Sequence, residues 1–281
     1  MSVGRPSRTA IVAAGYRAAH QKCEGGSIFS DPHALAILGS DGNTIVSVLS
    51  AAEPHGPMRI FMAARSRFAE DHVGTAVARG VRQVVILGAG LDTFSIRNPH
   101  AREGLKVYEV DRPASQAWKR ERLAEAGLIP PASTLFVGIN FETQSLGPAL
   151  TDAGLNLQAP VFFMWLGVVP YLTRDAIMAT LNFIATIPGS EVVFDYSEAL
   201  ENFPSEHRLK LEALAARASA IGEPWLSYFD PAELLELLHA SGFEAVEDLG
   251  IADIATRYLG MENSNSDAAP GGHILYARVA G

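Results

Sequence analysis

The sequence has one cysteine, an excess of acidic over basic residues and no long apolar run, and each shortage excludes a class of protein. Because Cys23 is the only cysteine in the chain, an intramolecular disulfide and a cysteine-based zinc site are excluded. A formal net charge of -9 argues against a dedicated nucleic-acid binder. No apolar run approaches the ~20 residues of a membrane span. Residues 1–8 lack the apolar core of a signal peptide, so we expect a soluble, cytoplasmic protein without a membrane partner.

Several catalytic motifs are missing as well. The eight histidines are scattered, and none forms a His-x-x-x-His pair, so we expect no metal site. The chain has no Gly-x-Ser-x-Gly turn of a serine hydrolase and no phosphate-binding Gly-x-x-x-x-Gly-Lys-Ser/Thr loop.

What the chain does have, from residue 81 onward, is an alternation of strand-like and helix-like segments. The predicted strands are 82–88, 105–111, 133–139, 160–166, 190–197, 243–249 and 274–279. The predicted helices among the first five strands are 113–126, 142–153 and 174–186, the last of them capped by Thr173. A later helix is predicted to start with Asp230 as its cap and Pro231 at its first position. This alternation is typical of an α/β fold with parallel strands and right-handed crossovers.

The flanking segments are predicted to be helical, and the whole chain is predicted to form a single domain, residues 1–281. In residues 1–80, a helix over 9–20, a second helix capped by Asp31 and a third over 60–77 would form an N-terminal helical lid. Residues 81–197 would be the cofactor-binding core. Residues 198–230 would be a helical insertion on the substrate side, and residues 231–281 a C-terminal helix and strands.

The organising feature is the end of the first predicted strand. Residues 84–93 read Val-Val-Ile-Leu-Gly-Ala-Gly-Leu-Asp-Thr, an apolar run that enters a glycine turn. Gly88 and Gly90 allow backbone angles and close ligand approach that a Cβ would prevent. In an open α/β sheet, ligands bind beyond the carboxyl ends of the strands. Asp111 ends the second strand about 20 residues later, where an acid can accept hydrogen bonds from ribose hydroxyls.

Two ligand classes fit such a turn, a dinucleotide and S-adenosyl-L-methionine. The dinucleotide motif has a third glycine, whereas this chain has Thr93 at that position. Asp92 also places a negative charge where a pyrophosphate seeks a helix N-terminus. The charge of Asp92 favours a ligand with an ammonium or sulfonium group, and a NAD-dependent oxidoreductase is kept as the alternative.

Three motifs make the chain resemble the leucine carboxyl methyltransferase family, and in particular its bacterial branch of S-adenosyl-L-methionine-dependent methyltransferases. They are Leu-Gly-Ala-Gly-Leu-Asp-Thr at 87–93, Tyr-Glu-Val-Asp-Arg-Pro at 108–113 and Trp-Leu-Gly-Val-Val-Pro-Tyr-Leu at 165–172. The resemblance covers about residues 8–200. It implies S-adenosyl-L-methionine as cofactor and a Rossmann-like class I methyltransferase fold. That fold is a mostly parallel seven-stranded sheet with helices on both faces, a helical lid and a helical insertion before the last two strands.

The resemblance also implies roles for individual residues of the cofactor site. Gly88 would lie against the methionine part of the cofactor, with Ala89, Gly90 and Asp92 completing the floor of the turn. Asp111 would bind the ribose hydroxyls, with Glu109 beside it as a helper. Arg65 matches an arginine that pairs with the cofactor carboxylate, a task that suits a forked guanidinium.

Two departures from the family pattern concern the adenine and acceptor sides. Asn140 and Phe141 stand where the family usually has Asp-Leu near the adenine. Leu166 stands where many members have a glutamate that contacts the cofactor amino group or the substrate. Because of Leu166, a protein that binds S-adenosyl-L-methionine without catalysis is a second alternative.

We expect methyl transfer to an oxygen, either a carboxylate or a hydroxyl. Tyr171, Asp195 and Tyr196 are the candidates for positioning the acceptor at the carboxyl ends of the fourth and fifth strands. The aromatic residues of the lid and insertion suit a small or medium apolar acceptor, or a peptide carboxylate; they are Phe61, Phe203, Trp225, Tyr228 and Phe229. The identity of the acceptor and the oligomeric state are left open by the sequence.

Overall fold

The computed structural model describes residues 8–53, 56–139, 144–220, 222–261 and 270–281. The chain divides into two compact units, residues 2–157 and residues 158–281, which we call the N-terminal unit and the C-terminal unit. Among the described residues, no helix is both long enough and apolar enough to cross a membrane.

The N-terminal unit begins with three helices and continues with alternating strands and helices. The three helices are α1 (Arg8–Cys23), α2 (Gly42–Ala52) and α3 (Pro57–Ala78). The remaining elements are β1 (Gln83–Leu87), α4 (Phe94–Arg97), β2 (Lys106–Asp111), α5 (Pro113–Glu125), β3 (Thr134–Gly138) and α6 (Leu146–Asp152). Short 3-10 helices lie at Ala36–Asp41 and Ala101–Glu103.

Strand β1 is buried along its whole length, which explains the apolar run at 84–87 that follows Gln83. It pairs in parallel with β2, Val85 opposite Tyr108, and β2 pairs in parallel with β3. Because parallel strands end at the same edge, the glycine turn after β1 and Asp111 at the end of β2 lie at one edge of the sheet.

The predicted second helix at Asp31 is wrong. The chain forms a turn there, followed by the 3-10 helix at Ala36–Asp41, and α2 begins only at Gly42. Gly39 has φ 73° and ψ -153°, which interrupts the helical backbone. The Asp31 carboxylate does accept from the His33 backbone N–H, but it also binds Arg17, so tertiary contacts determine its position.

The C-terminal unit contains four strands and four helices in its described residues. They are β4 (Phe162–Trp165), α7 (Arg174–Ala185), β5 (Glu191–Ser197), α8 (Ser205–Ala220), α9 (Pro231–Ala240), β6 (Phe243–Leu249), α10 (Ile251–Leu259) and β7 (Gly272–Val279). Short 3-10 helices lie at Val169–Tyr171 and Leu200–Asn202. Two predicted caps are confirmed, since the side chains of Thr173 and Asp230 accept backbone N–H groups of α7 and α9. The helix α10 was missed.

Strand β5 pairs in parallel with β4 and antiparallel with β7, and β7 pairs antiparallel with β6. Across the seven strands the order is β3-β2-β1-β4-β5-β7-β6. The predicted α/β class with a mostly parallel seven-stranded sheet is therefore confirmed. The assignment of a lid, core and insertion within a single domain stays a prediction.

Candidate functional site

The glycine turn after β1 has the backbone conformation that its sequence predicts. Gly88 and Gly90 have φ angles of 66° and 44°, a region in which side chains with a Cβ are strained. The backbone N–H groups of Gly88 and Ala89 both donate to the carbonyl of Val110, at 2.8 and 3.1 Å. A Cβ on Gly90 would lie 3.0 Å from the Cβ of Ala10 on α1. The turn is thus held against β2 on one side and lies close to α1 on the other.

Asp111 connects the end of β2 to this turn. Its Oδ2 accepts from the Gly90 backbone N–H at 2.7 Å, and its Oδ1 accepts from the Arg112 backbone N–H at 2.7 Å. The side chain is half-buried. Each carboxylate oxygen has two lone pairs, so the group can still accept hydrogen bonds from ribose hydroxyls. This geometry fits the predicted role of Asp111.

Asp92 lies two residues before α4, the helix that follows the turn. Its Oδ1 accepts from the Phe94 backbone N–H at 2.7 Å, and the side chain is half-buried. A negative charge therefore occupies the N-terminus of α4, where a bound pyrophosphate would need free N–H donors. The predicted contact of Asp92 with the cofactor stays a prediction, as do those of Gly88, Ala89 and Gly90.

Glu109 lies inside the sheet rather than at its edge. Its side chain is fully buried, and its two oxygens accept from Ser95 Oγ and Lys119 Nζ, both at 2.5 Å. Burial raises the pKa of the Glu109 carboxyl, against the opposing charge of Lys119. These contacts connect β2 to α4 and α5 beneath the turn, and the expected help of Glu109 in ribose binding stays a prediction.

The two arginines of the Arg-Ser-Arg segment of α3 lie in different environments. Arg65 is buried, with 5% of its surface exposed, whereas Arg67 is exposed and pairs with Asp71 at 2.8 Å. The sequence alone left open whether both belong to a solvated face. Arg65 is the one that fits a binding role, and its pairing with a cofactor carboxylate stays a prediction. Asn140 and Phe141, the predicted adenine contacts, lie outside the described residues.

In the C-terminal unit, Asp195 supports the turn that follows β4. Its Oδ1 accepts from the Gly167 backbone N–H at 2.5 Å, and only 5% of the residue is exposed. Gly167 has a φ of 70°, so the turn needs a glycine there. Leu166, just before it, is half-buried. The structure gives Asp195 a positioning contact, while the roles of Asp195 and Leu166 toward ligands stay predictions.

Tyr196 belongs to a polar cluster at the carboxyl end of β5. Its hydroxyl donates to Asp248 Oδ2 at 2.6 Å, and its ring stacks on His273 with a centroid distance of 4.8 Å. The ring nitrogens of His273 lie 3.0 Å from Asp248 Oδ1 and 3.5 Å from Glu198 Oε2. Burial raises the pKa of the Tyr196 hydroxyl, and the charge of Asp248 raises it further, so Tyr196 is a hydrogen-bond donor at neutral pH.

Tyr171 ends the 3-10 helix after β4 and is half-buried. The carbonyl of its neighbour Pro170 accepts from the Leu226 backbone N–H at 2.7 Å. The Phe229 backbone N–H donates to the carbonyl of Ser197 at 3.1 Å. The segment 226–229 therefore connects the loop after β4 to the end of β5. The expected acceptor-positioning roles of Tyr171 and Tyr196 stay predictions.

The sequence assigned no role in the site to four charged residues next to the glycine turn, namely Arg17, Asp31, Glu70 and Arg97. The signal at Asp31 was interpreted as a helix cap, and the other three lie on helices where a charged residue is unremarkable. Within the described residues, no group of three or more His, Cys, Asp or Glu side chains is arranged to hold a metal ion.

The sequence matches the model of a known family and is similar to named bacterial proteins. The model of the family described as leucine carboxyl methyltransferase matches residues 10–185, which include the glycine turn, Asp111 and the segment after β4. YktD of Bacillus subtilis (strain 168), named as a candidate S-adenosyl-L-methionine-dependent methyltransferase, is 35% identical over 217 residues. That alignment covers 76% of this chain and 71% of YktD.

Two solved structures share the fold over nearly the whole chain. A DUF574 family protein from Streptomyces avermitilis has a TM-score of 0.61 at 18% identity and covers 95% of this chain and 96% of its own. A candidate methyltransferase from Thermobifida fusca has a TM-score of 0.62 at 15% identity and covers 100% of this chain and 97% of its own. The resemblance carried by the three motifs is confirmed, and the chain belongs to the leucine carboxyl methyltransferase family.

Proposed function

We propose that this protein is a S-adenosyl-L-methionine-dependent methyltransferase that methylates an oxygen of a small or medium acceptor. The observation that carries the proposal is the bond between the Asp111 carboxylate and the Gly90 N–H at the sheet edge, within the segment that the family model matches. It joins the acid that suits a ribose to the turn that suits the amino-acid half of the cofactor.

The residues present fit S-adenosyl-L-methionine. Gly88 and Gly90 adopt positive φ angles that favour glycine in the turn, and Asp111 keeps lone pairs for ribose hydroxyls. Arg65 supplies a buried guanidinium for the carboxylate. When bound, the cofactor supplies a methyl group already activated by its sulfonium. The protein's own task is to align the acceptor oxygen with it and exclude water, an effect worth roughly 7–11 kcal/mol in favourable cases.

The same geometry argues against a NAD-dependent oxidoreductase. A pyrophosphate binds at a helix N-terminus through free backbone N–H groups. In this protein the Phe94 N–H is already bound by the Asp92 carboxylate, and Thr93 occupies the position of the third glycine. The pyrophosphate of a dinucleotide would have to displace the half-buried Asp92 carboxylate from the Phe94 N–H, and the two negative charges would then lie close together.

A carboxylate is the acceptor class that the site residues favour. A carboxylate is ionised at neutral pH and needs no general base, whereas a hydroxyl benefits from one. Tyr196, one of the residues expected to position the acceptor, is a protonated donor to Asp248 and therefore does not serve as that base at neutral pH. The family name, leucine carboxyl methyltransferase, points to the same chemistry. A peptide carboxylate and a small carboxylic acid are both consistent with this proposal.

The proposal also concerns the cellular compartment and the binding partners of the protein. We infer a cytoplasmic protein whose partner is the acceptor molecule, with no nucleic acid and no membrane. The formal net charge of -9 supports the exclusion of nucleic acid.

The decisive experiment has two stages. Native mass spectrometry and calorimetry of the purified protein would first measure binding of S-adenosyl-L-methionine, S-adenosylhomocysteine and NAD. Tight NAD binding without binding of either sulfur nucleotide would refute the proposal. Methyl-labelled cofactor would then be incubated with peptides ending in leucine, small carboxylic acids and phenols.

The chemistry of the product separates the acceptor classes. A methyl ester releases labelled methanol in mild alkali, whereas a methyl ether does not. Alkali-labile label is the expected result. Stable label on a phenol would replace the carboxylate by a hydroxyl acceptor. Cofactor binding without transfer to any acceptor would favour the non-catalytic alternative that Leu166 keeps open.

A further inference from the structure

Four buried or nearly buried charged side chains lie beside the glycine turn and outside the predicted cofactor contacts. Arg17 comes from α1, Asp31 from the turn after α1, Glu70 from α3 and Arg97 from the end of α4. Asp31 is fully buried and Arg17 has 7% of its surface exposed. Two guanidinium groups and two carboxylates balance their charges, which is the condition for burying them together.

The carboxylate of Asp31 joins the two arginines. Its Oδ2 accepts from Arg17 Nε at 2.9 Å, and its Oδ1 lies 3.5 Å from Arg97 Nε. Arg97 is held from the other side by Glu70, with contacts of 2.5 and 3.1 Å. Burial opposes ionisation of the Asp31 carboxyl, but Arg17 and Arg97 keep its pKa below the ordinary value.

Both arginines also bind the turn itself. Arg17 donates from Nη2 to the carbonyl of Leu91 at 2.7 Å. Arg97 donates from Nε to the Thr93 hydroxyl at 2.9 Å, and that hydroxyl is also hydrogen-bonded to Asp31. Leu91 and Thr93 are buried, with 2% and 0% of their surfaces exposed. Arg17 thus fixes the turn at Leu91, a residue 74 positions away in the sequence. Asp111 holds the same turn at Gly90.

We propose that Arg17 and Asp31 are positioning residues of the cofactor site, which hold residues 88–93 in the ligand-receiving conformation before the ligand arrives. This inference rests on the proposed function, because it assigns the shape of the turn to cofactor binding. A turn that is already ordered avoids the entropy cost of ordering during binding. The helices before β1 are accordingly part of the cofactor site.

The most informative substitution is Arg17→Lys. Lysine keeps the positive charge beside Asp31, but a single ammonium cannot reproduce the fork that reaches both Asp31 and the Leu91 carbonyl. Arg67→Lys is the matched control, because Arg67 also pairs with an aspartate but is exposed on α3. Thr93→Val is the second variant, which removes the hydroxyl between Arg97 and Asp31 and leaves all four charges in place.

Two measurements separate positioning from general stability. Calorimetry measures the affinity for S-adenosylhomocysteine, and hydrogen exchange of the ligand-free protein measures protection of the backbone N–H groups in residues 88–94. We expect Arg17→Lys to weaken the affinity about tenfold, the loss of roughly one charged hydrogen bond, and Thr93→Val to weaken it about threefold. Exchange in residues 88–94 should be faster in both variants, unchanged in β3, and restored by saturating ligand.

Wild-type affinity and wild-type exchange in Arg17→Lys and Thr93→Val would overturn the inference. A fall in melting temperature with unchanged exchange at 88–94 would also overturn it, since the network would then stabilise the helices alone. If Arg17→Lys does not fold, Thr93→Val decides. If the wild-type protein binds no S-adenosylhomocysteine, the proposed function fails, and exchange in the ligand-free variants still tests whether the network orders the turn.

Discussion

The glycine turn of the N-terminal unit and the carboxyl end of β5 in the C-terminal unit are both held by charged side chains, but of different kinds. At the turn, Arg17 and Arg97 balance Asp31 and Glu70. At the end of β5, His273 supplies the positive charge between Asp248 and Glu198. Arginine keeps its charge at every physiological pH, whereas histidine loses it near neutrality. We therefore expect the turn to keep its order across pH and the end of β5 to be pH-sensitive.

The largest effect is expected on the free energy of unfolding, when a buried ion pair of the N-terminal unit is broken. An exposed ion pair of the C-terminal unit serves as the comparison. Lys119→Met leaves the fully buried Glu109 without its cation and should lower the free energy of unfolding by about 3–5 kcal/mol. Lys210→Met is the matched control, because the side chains of Lys210 and Glu206 are 65% and 80% exposed. Its effect should stay within about 0.5 kcal/mol. Urea denaturation measures both, and equal effects would contradict the assigned difference in burial.

The next largest effect is expected on the affinity for S-adenosyl-L-methionine. It is tested at two aspartates that each bind the backbone N–H of a glycine at a strand end. Asp111→Ala should weaken binding of S-adenosyl-L-methionine by about 1–3 kcal/mol, since it removes the ribose acceptor and the Gly90 contact. Asp195→Ala removes the contact with Gly167 and should weaken binding less. Calorimetry measures both affinities. Unchanged binding in Asp111→Ala would mean that the cofactor site lies elsewhere.

A smaller effect on the free energy of unfolding is expected at two buried tyrosines, whose hydroxyls donate to different acceptors. Tyr196→Phe removes a bond to the Asp248 carboxylate and should cost about 1.5 kcal/mol of unfolding free energy. Tyr108→Phe removes a bond of 3.0 Å to the Gly154 carbonyl and should cost about 0.5–1 kcal/mol. Urea denaturation of both variants at one pH gives the order, and a larger loss in Tyr108→Phe would reverse the comparison.

The smallest effect is the pH dependence of the two units, which should have opposite signs. Burial lowers the pKa of His273, but the carboxylates of Asp248 and Glu198 raise it above 6.5 overall. Its stabilising contribution is therefore complete below pH 6.5 and is lost as the pH rises through the raised pKa. Burial lowers the pKa of His20, so its contribution is present above pH 6.5 and is lost as the pH falls.

Denaturant titrations across this range measure the two slopes. The wild-type protein should lose stability on both sides of neutrality, and His273→Gln should flatten the slope on the alkaline side only. An unchanged alkaline slope in that variant would mean that another group titrates there. The effect also bears on enzyme assays, since activity that depends on the end of β5 should fall at alkaline pH.

Much of the fold could be predicted because its signals are local. The apolar run before Gly88 and the acid at Asp111 predicted the strands and the edge at which they end. Proline at the first position and an acid before it predicted the start of α9 at Asp230. The same signal failed at Asp31, because its carboxylate binds Arg17 and Arg97 and a nearby glycine interrupts the helix.

In the candidate site, the sequence predicted the positions at the sheet edge but not the contacts of the buried charged residues. The glycine turn and Asp111 were placed at one sheet edge, since the parallel register of β1 and β2 brings them together. Glu109, two residues before Asp111, has buried contacts with Lys119 and Ser95 that the sequence did not indicate. Helical spacing on α5 does not reveal that Lys119 points inward, because burial of a lysine depends on a partner from another element.

The order of residues along the chain was therefore sufficient for the class of fold, the turn and the family, since strand patterns and turn glycines are properties of neighbouring residues. It was not sufficient for the partners of buried charges. Tertiary packing decides that Arg59 and Arg65 of α3 are buried while Arg67 is exposed, and that Arg17 reaches Leu91 across 74 positions. The reason is physical: a buried charge is tolerated only where distant elements bring its counter-charge and hydrogen-bond acceptors together.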